Sequence, residues 1–134
     1  MIAIDTNVLV RILINDDTAE EQCQLARQLV NTHGDVWVCH VVLIETIWVL
    51  QKVYSFDKQK ITLVLDKVIH HPHIHLEDSE IVKQTLDIFR SSNSNADFAD
   101  YLIFNKAQHQ NLILHTFDRK LAKIDGVERV KKDV

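Results

Sequence analysis

The 134-residue chain predicts an α/β fold: a single domain over 1–134 with a short, mostly parallel central sheet flanked by α-helices. Three observations lead there. Short apolar runs of strand length, such as Ile2-Ala3-Ile4, Val36-Trp37-Val38-Cys39 and Leu112-Ile113-Leu114, alternate with longer segments whose apolar residues recur at helical spacing. Strands alternating with helices are the pattern of a parallel layer joined by crossover helices. A composition of 46% hydrophobic and 25% charged residues provides for one core at this length and is short for two.

Taken in order, Ile2-Ala3-Ile4 reads as a central strand with Asp5 at its carboxyl end. After Val8-Leu9-Val10, residues 18–32 read as a helix capped by Asp17 or Thr18, with Ala19, Cys23, Ala26, Leu29 and Val30 on one stripe. Gly34-Asp35 turns the chain into a second strand. The nearly all-apolar stretch from Val41 to Val53 is long enough for a buried helix, in which Glu45 is an anomaly. Asp57 caps a helix through Ile61, Leu65, Val68 and Ile69 that ends before Pro72, and Ile74-His75-Leu76 is a third strand. Ser79 caps a helix from Glu80 to Arg90, and Ser91-Ser92-Asn93-Ser94-Asn95 is the clearest loop, expected to be the most flexible segment. Asn95 or Ser94 caps the next helix, which carries Phe98, Ala99, Leu102 and Ile103 inward to about Gln110 and is closed by Asn111. A fourth strand over 112–116 delivers Asp118, and a short helix over 119–123 and a strand over 127–130 complete the chain.

Composition narrows the function. A net charge of −4 gives no global attraction for nucleic acid, so such a partner needs a local site or a metal. With two glycines, Gly34 and Gly126, the chain has neither a P-loop nor a dinucleotide-binding fingerprint. Cys23 and Cys39 lack CxxC spacing and are expected to stay thiols. No apolar stretch is long enough to cross a bilayer, and Asp5 interrupts the first run too early for a signal peptide, so a cytoplasmic protein is expected.

The acids carry most of the information. Asp5, Glu45, Asp100 and Asp118 each lie against an apolar run or at its end, where a carboxylate must lose its charge, find a cation or meet water at a cleft. Asp5 and Asp118 fall at the carboxyl ends of strands, where parallel α/β sheets bind ligands. Asp97 and Asp100 share a face at the start of one helix, whose positive end helps keep them ionised. Carboxylates brought to spacings of about 5 Å repel by about 3 kcal/mol per pair at an effective dielectric near 20, so cations or shared protons have to relieve them. An all-oxygen site suits Mg²⁺ or Mn²⁺ better than zinc. Singly, each acid also has an ordinary role: Asp5 as a strand end, Asp118 in a turn, Asp97 and Asp100 at a helix start, Glu45 on a polar edge with Gln51 and Lys52.

At these residues the sequence resembles the PIN-domain family, and within it the small VapC-type toxins of toxin–antitoxin pairs. The motifs are Ile2-Ala3-Ile4-Asp5-Thr6-Asn7-Val8-Leu9, Val42-Leu43-Ile44-Glu45 with Trp48-Val49-Leu50, Asp97-Phe98-Ala99-Asp100-Tyr101-Leu102-Ile103, and Leu114-His115-Thr116-Phe117-Asp118, in family order over almost the whole chain. By position, Asp5, Glu45, Asp100 and Asp118 match the family's acidic quartet, the catalytic and metal-holding set. Asp97 is a further metal candidate beside Asp100, of which Asp100 is favoured by its distance from Asp118. Thr6, Asn7 and Thr116 match positions that support the acids by hydrogen bonds. His40 departs from the pattern, since relatives often carry a small hydroxyl residue there to cap the helix.

The resemblance implies a Mg²⁺- or Mn²⁺-dependent endoribonuclease using one or two ions, with RNA as substrate, a VapB-like antitoxin covering the cleft, and a homodimeric assembly. Arg11, Arg119 and Lys120 are candidates for holding RNA. Other signals are read as structural: the His70-His71-Pro72-His73-Ile74-His75 tract as a surface turn entering a strand, and Trp37 with Trp48 as core rather than a base-stacking platform. The rival functions are a PIN scaffold that binds RNA or protein without cutting, a PIN nuclease of RNA processing, and a phosphotransfer receiver domain. The last lacks an acceptor Asp at the end of a third strand.

Overall fold

The computed structural model describes residues 1–93 and 95–132. Ser94, one of the two expected caps, lies outside them. The chain divides into two compact units, Met1–Ser79 and Glu80–Val134.

The first unit holds β1 (Ile2–Ala3), α1 (Thr6–Leu13), a 3₁₀ turn (Asp17–Ala19), α2 (Glu20–His33), β2 (Val36–Val38), α3 (His40–Lys52), α4 (Lys58–Ile69) and β3 (Ile74–Leu76). Its strands form a parallel sheet in the order β1-β2-β3, with Ile2 opposite Val36 and Trp37 opposite both Ala3 and His75. β2 is therefore the central strand, not Ile2-Ala3-Ile4. The sequence reading passed over α1, which begins where Asp5 turns from strand to cap and buries Leu9 and Val10. Asp16, rather than Asp17 or Thr18, caps the 3₁₀ turn that precedes α2. α2 ends at Gly34, whose φ of 80° is the left-handed conformation that glycine adopts without strain.

α3 buries Leu43, Thr46, Ile47 and Leu50 on one side, and α4, capped by Asp57, buries Ile61, Leu65 and Val68 at helical spacing. The capping role left vacant by the departure at His40 is filled from a distance. The Glu77 carboxylate accepts the His40 backbone N–H at 2.8 Å. Both tryptophans depart from the expected core position: Trp37 is 37% exposed and Trp48 46%. Val36 and Val38 on β2 are buried, so Trp37 faces the opposite side of the strand, as period-2 alternation requires.

The second unit holds α5 (starting at Ser79 and running to Ser91), α6 (Phe98–His109), β4 (Leu114–Thr116), a 3₁₀ turn (Leu121–Lys123) and β5 (Val127–Arg129). β4 and β5 pair in parallel, Leu114 opposite Val127. The core joins Phe89 of α5 edge-on to Phe98 and Tyr101 of α6, with ring centroids 5.6 and 6.2 Å apart. A second cluster gathers Phe104, Leu121 and Val127 with Leu114 and Ile124. The buried face of α6 is Phe98, Tyr101, Leu102, Phe104 and Asn105, while Ile103, expected inside, is 51% exposed. Asn111 closes α6 with φ 58° as the Leu112 N–H returns to the Ala107 carbonyl. β4 starts two residues later than expected, leaving Leu112 and Ile113 exposed. Among the described residues, no helix is long and apolar enough to cross a membrane, and Cys23 and Cys39 are both free.

Candidate active site

Three of the predicted acids share one construction. Asp5 caps α1, its Oδ1 accepting the Val8 N–H at 3.1 Å. Asp100 sits in the first turn of α6, and its Oδ2 accepts the Asp97 N–H at 3.1 Å. Asp118 follows β4, and its Oδ1 accepts the N–H groups of Lys120 at 2.7 Å and Leu121 at 3.4 Å. Each carboxylate is oriented through one oxygen by the backbone, and the other oxygen stands outside those bonds.

In the first unit, Asp5 and Asn7 line a cleft of about 550 Å³ between α1 and α2, walled by Val8, Leu25, Ala26 and Leu29. Thr6 opens α1 directly after Asp5. Glu45 is exposed on α3, and it lines a different, smaller cleft with Trp48, Val49, Lys52 and Val53. The anomaly in the apolar stretch is thus the polar edge of a one-sided helix.

Arg11, a candidate for holding RNA, has another task here. Its Nε donates to Gln22 Oε1 at 2.9 Å and its Nη1 to the Tyr54 hydroxyl at 3.0 Å, with Asp16 at 3.7 Å. Tyr54 in turn donates to Asp16 at 2.7 Å. Hydrogen bonds from the Thr18 side chain, from Tyr54 and from the Thr18 backbone hold Asp16 down to about 2. Tyr54 titrates higher than usual because its proton serves Asp16. Arg11 therefore braces one wall of the cleft, a role no local motif signals because Gln22 and Tyr54 come from other elements.

In the second unit, Asp97, Asp100 and Asp118 come within electrostatic reach of one another. Asp100 is half-buried, and desolvation raises its pKa; the charges of Asp97 and Asp118 push it further up, against the lowering effect of the Asp97 N–H. Thr116 Oγ1 accepts the Asp118 backbone N–H at 3.0 Å, so it positions the backbone of that acid rather than its carboxylate. Arg119 and Lys120 are exposed in the turn that follows.

The donor chemistry fits a hard divalent cation. Among the described residues, no lysine or arginine forms an ion pair with Asp5, Glu45, Asp97, Asp100 or Asp118. The set is all oxygen, as Mg²⁺ and Mn²⁺ prefer. Within either unit, among the described residues, no three His, Cys, Asp or Glu side chains gather to hold a metal. The histidine tract is a surface clasp: His73 Nδ1 and His75 Nε2 share Asp35 Oδ1 at 3.3 and 3.2 Å, which lowers the Asp35 pKa through His75 first and His73 second.

A family model described as the PIN domain matches residues 2–127. No curated protein matches the chain. Among solved structures, the crystal structure of Mycobacterium tuberculosis VapC20, described as a sarcin-ricin loop cleaving toxin, is similar at 16% identity, covering 96% of this chain and 98% of that one. The TM-score of that match is 0.44. The family match takes in all four acidic motifs and leaves out only Met1 and residues 128–134, and on that basis the chain belongs to the PIN-domain family.

Proposed function

We propose that the protein is a VapC-like, Mg²⁺- or Mn²⁺-dependent endoribonuclease that hydrolyses RNA phosphodiester bonds and is neutralised by a VapB-like antitoxin. The observation that carries this reading is the shared construction of Asp5, Asp100 and Asp118, each pinned through one oxygen and, among the described residues, in no ion pair with a lysine or arginine. Such an arrangement presents pre-oriented hard oxygen donors to a cation. In this reading the chain acts as one PIN domain over 1–134, in which Asp5, Glu45, Asp100 and Asp118 form the catalytic set and Asp97 adds a further ligand.

One or two ions, when bound, supply Lewis-acid stabilisation of the charge that develops on the phosphate and the leaving oxygen. The chain's own residues do the rest. Backbone N–H groups fix the acids before substrate arrives, so little reorganisation is needed during reaction. Burial and the negative charge of Asp97 and Asp118 beside Asp100 disfavour a bare carboxylate there, so a bound cation would relieve what a proton otherwise relieves. Asn7, two residues after Asp5, lines the same cleft. Arg119 and Lys120, exposed beside Asp118, meet the RNA backbone. The protein works in the cytoplasm as a homodimer.

Cleavage of RNA by the purified protein tests the proposal. Activity that disappears in EDTA, returns with Mn²⁺ and falls by at least about a hundredfold in Asp118→Asn supports it. Cleavage indifferent to EDTA overturns it.

A further inference from the structure

We propose that Tyr54 is a positioning residue for the cleft beside Asp5: acting through Arg11, its hydroxyl sets the spacing of α1 from α2 and with it the fit of the RNA strand. The inference rests on the nuclease reading, because it takes the cleft that holds Asp5 as the place where substrate lies.

The walls of the cleft come from two helices, Asn7 and Val8 on α1 and Leu25, Ala26 and Leu29 on α2. The two ends of α1 are held by different means. At the Asp5 end the helix is fixed to the sheet: the Ile4 N–H donates to the Trp37 carbonyl at 3.2 Å, and the Asp5 carboxylate caps the first turn. At the other end Arg11, in the last turn of α1, crosses to Gln22 on α2 by the 2.9 Å bond from its Nε. Holding a long side chain in one geometry costs entropy, which further bonds to the same guanidinium offset. Tyr54 supplies one at Nη1, 3.0 Å away, and is itself fixed by donating to Asp16 at 2.7 Å. Tyr54 lies outside the lining of the cleft, so its influence on substrate passes through Arg11.

The turn that carries Tyr54 holds it still. Ser55 has φ 58°, a left-handed conformation that strains a non-glycine residue and persists where the surroundings dictate it. The Phe56 N–H returns to the Leu50 carbonyl at 2.9 Å, and the Phe56 ring meets Tyr54 edge-on with centroids 6.5 Å apart. Arg11 lies six residues past Asp5. That is about 9 Å along the helix axis, so a tilt of about 6° about the fixed Asp5 end moves the Arg11 end by about 1 Å. A gap of that size forfeits roughly a quarter to a half of each van der Waals contact across it. Loss of the Tyr54 hydroxyl therefore loosens binding and leaves the chemistry at Asp5 in place.

The test compares the full chain with Tyr54→Phe, Gln22→Ala and the double variant. Binding of a short single-stranded RNA is read in EDTA by fluorescence anisotropy, and cleavage is read with Mn²⁺. Tyr54→Phe is expected to raise Kd and KM about three- to tenfold and to leave kcat and Mn²⁺ affinity within about twofold. Gln22 is the far end of the same latch, so adding Tyr54→Phe to Gln22→Ala should change Kd and KM by less than about twofold. A Tyr54→Phe protein that loses Tm with Kd and KM unchanged overturns the proposal. So does a double variant in which the two effects multiply, or a Tyr54→Phe protein in which kcat and Mn²⁺ affinity fall together. If RNA binding follows the expected pattern and no divalent ion supports cleavage, the positioning role stands and the nuclease reading falls.

Discussion

Replacing Asp5 by Asn and by Ala separates its two duties. The carboxylate accepts the Val8 N–H at 3.1 Å as the cap of α1, and Asn serves nearly as well as Asp in that position, so Asp5→Asn keeps the cap. What it loses is the favourable meeting of a negative charge with the helix N-terminus, about 0.3–1 kcal/mol. Asp5→Ala loses the cap as well, a further loss of about 1 kcal/mol that amounts to roughly 2–5 °C in Tm for a chain of this size. Urea unfolding in EDTA measures both: the midpoint should fall in the order wild type, Asn, Ala, with the slope unchanged. RNA cleavage should not follow that order. Both variants lack the charge that a cation needs, so both should drop by at least about a hundredfold. An Asp5→Asn enzyme that cuts normally refutes the role in chemistry. An Asp5→Ala protein as stable as Asp5→Asn refutes the cap.

Asp100 gives a pH signature. Its pKa is raised above 3.8, so in metal-free protein folding stability declines as pH rises from the unfolded value through the folded one. Mg²⁺ should therefore raise Tm at pH 7, with little effect once Asp100 is protonated, and Asp100→Asn should remove most of the pH-7 gain; thermal melts with and without Mg²⁺ check this. Gly126→Ala forces a φ of 93° on a residue with a Cβ, which would meet Gln108 Nε2 at 2.6 Å, and should lower stability by about 1–3 kcal/mol by urea unfolding. Thr85→Val keeps volume but removes the acceptor that Asn105 Nδ2 reaches at 2.9 Å in the core of the second unit. An orphaned buried donor should lower stability by about 1–3 kcal/mol, and Thr85→Ser should restore most of it.

Elements with a strong period and a local cap were legible in the sequence. Asp57 and the Ile61, Leu65, Val68 spacing delimit α4 without help from the rest of the chain. α1 was not legible, because Val8-Leu9-Val10 in an eight-residue helix has the look of a strand and the capping Asp5 also reads as a strand end. The inward face of α6 was misjudged at Ile103, because a helix with apolar residues on most sides gives period little to select. The order of the acids along the chain was plain, and so was the hydroxyl of Thr116 beside Asp118. The brace of Arg11 on Gln22, Tyr54 and Asp16 was not, nor was the Glu77 cap of α3, since both depend on residues brought from other elements. Trp48 was assigned to the core on residue type alone. Its exposure is a property of which side of α3 finds partners, and nothing in the local pattern states that.

The central proposal is that the carboxylates pinned by backbone N–H groups take a divalent ion. Anomalous diffraction from a crystal soaked in Mn²⁺ tests it most directly. The expected result is manganese contacted by these carboxylates, with the peak at Asp5 lost in Asp5→Asn and the peak at Asp118 lost in Asp118→Asn. No manganese peak near any of these carboxylates would contradict it.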